Sequence, residues 1–205
     1  MHSNLESKMS DWKKAYERGF KIDTNSPSKV VIEAFTIKNN PLWVLDLGCG
    51  NGRNSVYAAK HSLGVDAVDI VDLNFLDKLS EELKKKINFR KISVLDFKYE
   101  ESRYDVVLVT RLIQYLDDNA LGELFDKISL AIKPGGVLAL NYSEKSKVIT
   151  QNYGAKKYSH LIDKIKLLIQ KHGFKIISIE RGNNFSTHVP YNDKIITYDI
   201  ISQKI

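Results

Sequence analysis

Short apolar runs and amphipathic stretches take turns along the centre of the chain. Runs at Leu42–Leu47, Gly64–Asp69, Phe89–Leu95, Tyr104–Thr110 and Gly136–Tyr142 are almost wholly apolar, as strands buried on both faces must be. Between them, Arg53–His61, Leu73–Ile87 and Asn119–Ile132 place apolar residues at helical spacing. This strand–helix rhythm predicts a parallel sheet covered on both faces. After Tyr142 the rhythm changes. A polar stretch, Ser143–Lys157, leads to a helix around Tyr158–Lys171 closed by Gly173, then to two strands, Phe174–Arg181 and Lys194–Gln203, joined by the loop Gly182–Asp193. Ahead of the sheet, Trp12, Tyr16 and Phe20 recur at i, i+4 and i+8. That aromatic stripe reads either as a helix face packed on the domain or as a cover over a ligand. Ser26 and Pro27 open a second helix through Val30, Val31 and Phe35. No repeat or Pro/Gly-rich linker intervenes, so one domain is expected: a helical cap over 1–38, a central sheet over 42–142 and a C-terminal portion over 143–205.

Composition narrows this picture. The 205 residues are 43% hydrophobic and 27% charged, too apolar for a disordered chain. No apolar run reaches the roughly 18–20 residues that cross a bilayer, and the first residues lack the apolar core of a secretory signal. The one cysteine, Cys49, allows no internal disulfide and fits a reducing compartment, with the cytosol expected. The net charge is +6, and residues 146–205 hold 10 basic and 4 acidic side chains, so the whole surplus lies there.

The informative stretch runs from Trp43 to Ser55. An apolar strand carries Asp46, and a G-x-G-x-G turn of Gly48, Gly50 and Gly52 follows before a helix. Such glycines allow positive φ and let a ligand lie on bare backbone, while the helix beyond offers free N–H groups. Asp69, 21 residues past Gly48, closes the second strand, where a carboxylate can meet paired ribose hydroxyls. Asp66 is the competitor, but falls inside that strand. Asp46 beside the turn would repel a pyrophosphate and suits a cationic group. The site therefore calls for a nucleoside with a positive tail.

These residues resemble the class I S-adenosylmethionine-dependent methyltransferases from about Leu42 to Tyr142, and within them the small tellurite-resistance type. The resemblance implies a Rossmann-like seven-stranded α/β sheet, order 3-2-1-4-5-7-6, with the last strand antiparallel. It implies that S-adenosylmethionine binds on Asp46, Gly48, Cys49, Gly50, Gly52 and Asn54 of the first motif, with Asp69 and the adjoining Ile70 at the ribose. Asp96 and Phe97, in Val94-Leu-Asp-Phe97, match the adenine site. Thr110 and Arg111 begin the segment that lines the transferable methyl, and Lys133-Pro-Gly-Gly136 matches the turn before strand five. Thr187-His-Val-Pro-Tyr191 is the counterpart of a His-containing active-site segment, without the closely spaced histidines expected there. Read as residues alone, Cys49 suits packing, Asp96 a simple turn, and His188 and Tyr191 an ordinary loop.

Implied too is an in-line displacement at a sulfonium methyl, in which the protein aligns the reactants and excludes water. His188 is the first candidate for a general base and Tyr142 the second, needed only if the acceptor arrives protonated. Arg111 could orient an anion by a charge-assisted fork. His2, His61, His160 and His172 have no metal-ligand spacing, and no metal is expected. Val109-Thr-Arg-Leu112 lacks the Asp/Asn-Pro-Pro-aromatic motif of enzymes that methylate base amines, and there is no Pro-Cys nucleophile. A small-molecule acceptor is therefore favoured, anionic if the C-terminal basic surplus shapes its site, with no nucleic-acid or membrane partner and a monomer or homodimer. RNA or protein methylation, or non-methyl chemistry on S-adenosylmethionine by a cyclase or lyase, are the alternatives.

Overall fold

The computed structural model describes residues 26–144, 158–185 and 194–205. Helix α1 (Lys29–Ile37) leads into β1 (Trp43–Leu47), α2 (Arg53–His61) and β2 (Gly64–Asp69). A 3-10 turn at Phe75–Lys78, α3 (Glu81–Lys86), β3 (Ile87–Lys91) and β4 (Tyr104–Thr110) follow. A second 3-10 turn at Ile113–Tyr115 precedes α4 (Asp118–Ala131), β5 (Ile132–Ser143), α5 (Ile162–Lys171), β6 (Phe174–Phe185) and β7 (Lys194–Lys204). The strands form one sheet in the order β3-β2-β1-β4-β5-β7-β6. Strands β1 to β5 pair in parallel, and β7 is antiparallel to both β5 and β6. This is the Rossmann-like order expected from the sequence.

Alternation along the strands feeds two cores. Leu45, Leu47, Val107, Val109, Leu138 and Leu140 face one side, against Leu121, Leu124, Phe125 and Ile128 of α4 and Ile165 and Ile169 of α5. Val44, Val106, Leu108, Val137 and Ala139 face the other, against Val30, Val31, Ala34 and Phe35 of α1 and Ala58 and Ala59 of α2. Fully burying each Val, Leu, Ile or Phe among them contributes about 1.5–3 kcal/mol. Helix α4 begins where the Asp117 carboxylate accepts from the Ala120 N–H at 3.0 Å, and α3 where Ser80 Oγ accepts from the Leu83 N–H at 3.4 Å.

Several boundaries differ from expectation. The helix expected over Leu73–Ile87 is split, because Asn74 takes a left-handed φ of 52° and Leu79 and Ser80 are extended before α3. Strand β3 starts earlier, with Ile87 paired to Val65, and ends before Ser93, whose Oγ and carbonyl cap the turn at Leu95–Phe97. Strand β6 runs into the expected loop as far as Phe185, paired with Lys194. The stripe of Trp12, Tyr16 and Phe20, the polar residues 145–157, and His188 and Tyr191 lie outside the described residues.

Candidate functional site

The turn after β1 is held by β2. Gly48 and Cys49 both donate their N–H to the Val68 carbonyl, at 2.8 and 3.1 Å. Gly48, Gly50 and Gly52 have φ of 72°, 54° and 74°. At Gly52, which starts α2, a Cβ would lie 2.1 Å from the Phe75 ring, so both conformation and space demand glycine. The Cys49 side chain is buried in the core, and burial, with Asp46 and Asp69 nearby, pushes its thiol well up. It packs, and lends the turn its backbone.

Two acids flank the turn. Asp46 is fully buried; its Oδ2 accepts from Ser55 Oγ at 2.6 Å and its Oδ1 has no partner among the described residues. Burial lifts this carboxyl to about 6. Asp69 accepts the Gly50 N–H on Oδ2 at 2.8 Å and the Val71 N–H on Oδ1 at 3.0 Å, just before half-buried Ile70. Burial raises its pKa and those N–H donors oppose the rise. Asp66, lower on the same strand, serves the fold. It accepts from Tyr104 Oη at 2.8 Å and Asn88 Nδ2 at 2.6 Å, and pairs with Arg103 at 3.3 Å.

Asn54 is buried and braces three elements. Its Nδ2 donates to Thr110 Oγ1 at 2.8 Å, and its Oδ1 accepts the Ser28 N–H at 2.9 Å. Asp96 is exposed in the turn after β3, and half-buried Phe97 meets Tyr99 edge-on, centroids 5.2 Å apart. Arg111 has a φ of 58°, unusual for its residue type, and its guanidinium donates to Ser143 Oγ. The turn beyond it is pinned from below. His160 Nε2 lies 3.1 Å from the Ile113 carbonyl and 2.9 Å from that of Leu116, while buried Gln114 accepts the Ser143 N–H on Oε1 at 3.3 Å. Tyr142 is fully buried against Tyr198, and its hydroxyl has no partner among the described residues. Burial, with Glu144 nearby, pushes that phenol up, so it keeps its proton.

One feature was not read from the sequence. Thr110 of β4 is in register with Asn141 of β5, Asn141 with Asp199 of β7, and Asp199 with Glu180 of β6. One row further down the same face, Leu108, Ala139 and Ile201 are buried in the core. The face therefore turns from apolar to polar at the edge where the glycine turn lies. Asn141 Nδ2 donates to Asp199 Oδ1, and Glu180 pairs with Lys29 of α1 at 2.5 Å. The signal in the sequence was small: an acid at a strand position whose i+2 neighbours, Thr197 and Ile201, are buried. Register across β5 and β7 was needed to give it meaning.

Of the described basic residues in the C-terminal portion, five lie away from this row. Lys171, Lys175 and Lys204 stand at the opposite edge, where Lys204 Nζ donates to the His172 carbonyl at 2.7 Å. Lys164 pairs with Asp118, and Lys166 with Asp163 at 3.2 Å.

A strand–glycine turn–helix unit, an acid closing the next strand and this sheet order define a nucleoside-binding α/β enzyme. Residues 44–136 match the family described as a methyltransferase domain. With the sheet order above, that match gives the chain the fold of the class I S-adenosylmethionine-dependent methyltransferases. The chain is 28% identical over 161 residues to the N-terminal Xaa-Pro-Lys N-methyltransferase 1 of Xenopus tropicalis, covering 74% of this chain and 70% of the relative. The solved structure of the Burkholderia thailandensis 1,6-didemethyltoxoflavin-N1-methyltransferase, with its substrate and S-adenosylhomocysteine bound, superposes with a TM-score of 0.81 at 19% identity, covering 99% of this chain and 89% of that one. TehB of Haemophilus influenzae superposes with a TM-score of 0.72 at 18% identity, covering 90% and 65%. The residues at the turn fit S-adenosylmethionine: a buried acceptor at Asp46, unpaired among the described residues, lies beside a turn whose three glycines take positive φ.

Proposed function

We propose that this chain transfers the methyl group of S-adenosylmethionine to a nitrogen of a small-molecule acceptor held over the ends of β4, β5 and β7. The polar row that starts beside the glycine turn carries this reading, because it gives a polar acceptor a place next to the cofactor turn. Nitrogen is favoured by the names of the Xenopus tropicalis relative and the Burkholderia thailandensis structure, both N-methyltransferases.

Bound S-adenosylmethionine supplies a methyl on a sulfonium that is its own leaving group. The chain's residues align and enclose it. Gly48, Gly50 and Gly52 give backbone contact and Asp46 faces the cationic end. Asp69 and Ile70 take the ribose, Asp96 and Phe97 the adenine. Asn54 fixes Thr110, and Gln114 with His160 fixes the turn that carries Arg111. Tyr142, holding its proton, serves as a hydrogen-bond donor rather than a base.

A second reading, methylation of a protein N terminus, draws on the relative's name. One screen tests both, with S-adenosylhomocysteine formation as readout and a short peptide beginning Ala-Pro-Lys, small primary amines, a thiol and a metalloid oxyanion as acceptors. The expected result is turnover of a nitrogen acceptor. Formation of methylthioadenosine with no acceptor methylated would replace methyl transfer by cyclisation.

A further inference from the structure

The acids at the site edge differ in what they have left to bind. Both Asp69 oxygens already accept backbone N–H groups. Glu180 is neutralised by Lys29. Asp46 is fully buried beside the glycine turn. Asp199 is different: half-buried, it receives the Asn141 amide on Oδ1, while its Oδ2 has no hydrogen bond, and the residue no ion pair, among the described residues.

Among the described residues, the charged groups that bear on it have partners of their own. Glu180 on β6 is held by Lys29, and Glu33 on α1 accepts from Ser178 Oγ at 2.6 Å. Arg111, beyond β4, donates to Ser143. The arrangement leaves one carboxylate oxygen short of a donor, on a polar face two strand spacings, about 10 Å, from β4. A group that brings positive charge and N–H donors together is a protonated amine.

We infer that Asp199 is the catalytic residue on the acceptor side, receiving a protonated amine on Oδ2 and taking its proton before methyl transfer. The inference rests on the nitrogen-acceptor reading above and adds the class of nitrogen and the base. The ammonium gives one proton to the Asp199 carboxylate. The freed lone pair forms the N–C bond as the methyl C–S bond breaks, and that bond's electrons stay on sulfur. The product is the methylammonium with S-adenosylhomocysteine, and the Asp199 carboxyl returns its proton to water. Asn141 is the positioning residue, since its amide fixes which oxygen faces the acceptor. Burial strengthens the hold of Asp199 on a proton, and Glu180 adds to it, against Asn141, Arg111 and Lys29. This makes it a better base than an exposed carboxylate.

The test uses the full chain, S-adenosylmethionine, ethanolamine, a short peptide with a free N-terminal amine, and the same peptide N-acetylated. Asp199→Asn keeps the acceptor for the Asn141 amide but loses the base. It should lower kcat/KM for the peptide at pH 7 by about 100-fold or more, with S-adenosylhomocysteine affinity within about twofold. The deficit should shrink as pH rises past about 8, where the peptide amine is already free, a recovery that a structural role would not produce. Asp199→Glu should recover part of the loss, and Asn141→Ala should show a smaller loss of the same pH shape. In a binding arm, wild-type enzyme loaded with S-adenosylhomocysteine should bind the free-amine peptide at least about tenfold more tightly than Asp199→Asn, and the acetylated peptide equally. If wild type turns over the peptide and Asp199→Asn matches it at pH 7, the role of Asp199 is overturned while nitrogen methylation stands. If wild type methylates only the thiol or oxyanion, or binds neither amine probe, the nitrogen reading fails and this inference with it.

Discussion

At the edge where the parallel strands begin, Asp66 and Asp105 meet both hydrogen-bond donors and a cation from this chain; at the edge where they end, Asp46, Asp69 and Asp199 meet donors but no paired cation among the described residues. Asp105 accepts the N–H groups of Leu42 and Trp43, each at 3.0 Å, and pairs with Lys133 at 3.0 Å. Burial alone would raise its carboxyl, but the Trp43 N–H, Lys133 and the Leu42 N–H outweigh that and hold it below its usual range. Asp66 is likewise enclosed by Tyr104, Asn88 and Arg103. The three acids at the far edge have no cation partner among the described residues, and burial raises the proton affinity of each. One residue type thus serves two ends. An acid completed from within the chain contributes to stability, and an acid left incomplete is a place for a ligand to finish.

The contrast can be broken in three ways. The largest effect is expected at the completed edge. Asp105→Ala strands two backbone N–H groups and Lys133, and should lower stability by about 2–4 kcal/mol in urea unfolding. Affinity of the folded variant for S-adenosylmethionine should stay within about twofold. A stability loss below about 0.5 kcal/mol would show that this edge needs no internal completion.

Next comes Asp69→Ala at the open edge. It should weaken S-adenosylmethionine binding at least tenfold, about 1.4 kcal/mol, by calorimetric titration of the folded variant, and it should also lower the unfolding midpoint, because the Gly50 and Val71 N–H groups lose their acceptor. Affinity within twofold of wild type would remove Asp69 from the ribose site.

The smallest effect is a pH dependence at Asp46. Its folded pKa of about 6 lies above the ordinary 3.8, so the folded chain takes up a proton that the unfolded chain does not. Its contribution to stability is then full below the unfolded value and is lost as pH rises through about 6. Relative to Asp46→Asn, the cofactor-free wild type should gain about 1 kcal/mol between pH 7 and pH 5. Affinity for S-adenosylmethionine should fall over the same interval, since a cationic ligand favours the carboxylate. Parallel pH profiles for the two proteins would assign the proton uptake to another group.

Much of the fold was legible because its signals are local. Apolar runs, the glycine turn and Asp69 at the close of β2 all fall within short stretches of chain, and they fixed the sheet order through a familiar arrangement. Local signals failed where a single backbone angle decided the outcome, as at Asn74, which splits the expected helix. They failed again where partners lie far apart in sequence. Asn141 and Asp199 meet only through the antiparallel register of β5 and β7, and Asp199 alone reads as a polar position on an edge-side strand. The basic surplus is likewise not placed by counting. Among the described basic residues, topology sends Lys171, Lys175 and Lys204 to the end of the sheet away from the site and leaves Arg181 next to the Glu180–Asp199 row.

Helix α1 stands first among the described elements, yet it docks on β5 and β7, with Lys29 bound to Glu180 and Glu33 to Ser178. On a ribosome that adds about 5–20 residues per second, its apolar face must wait on the order of ten seconds or more for β7 to emerge. The brace from Ser28 through Asn54 to Thr110 depends on that docking. The support for the cofactor turn is therefore completed only once β5 and β7 have emerged, and a nascent chain already carrying its glycine turn has yet to gain the wall that steadies it.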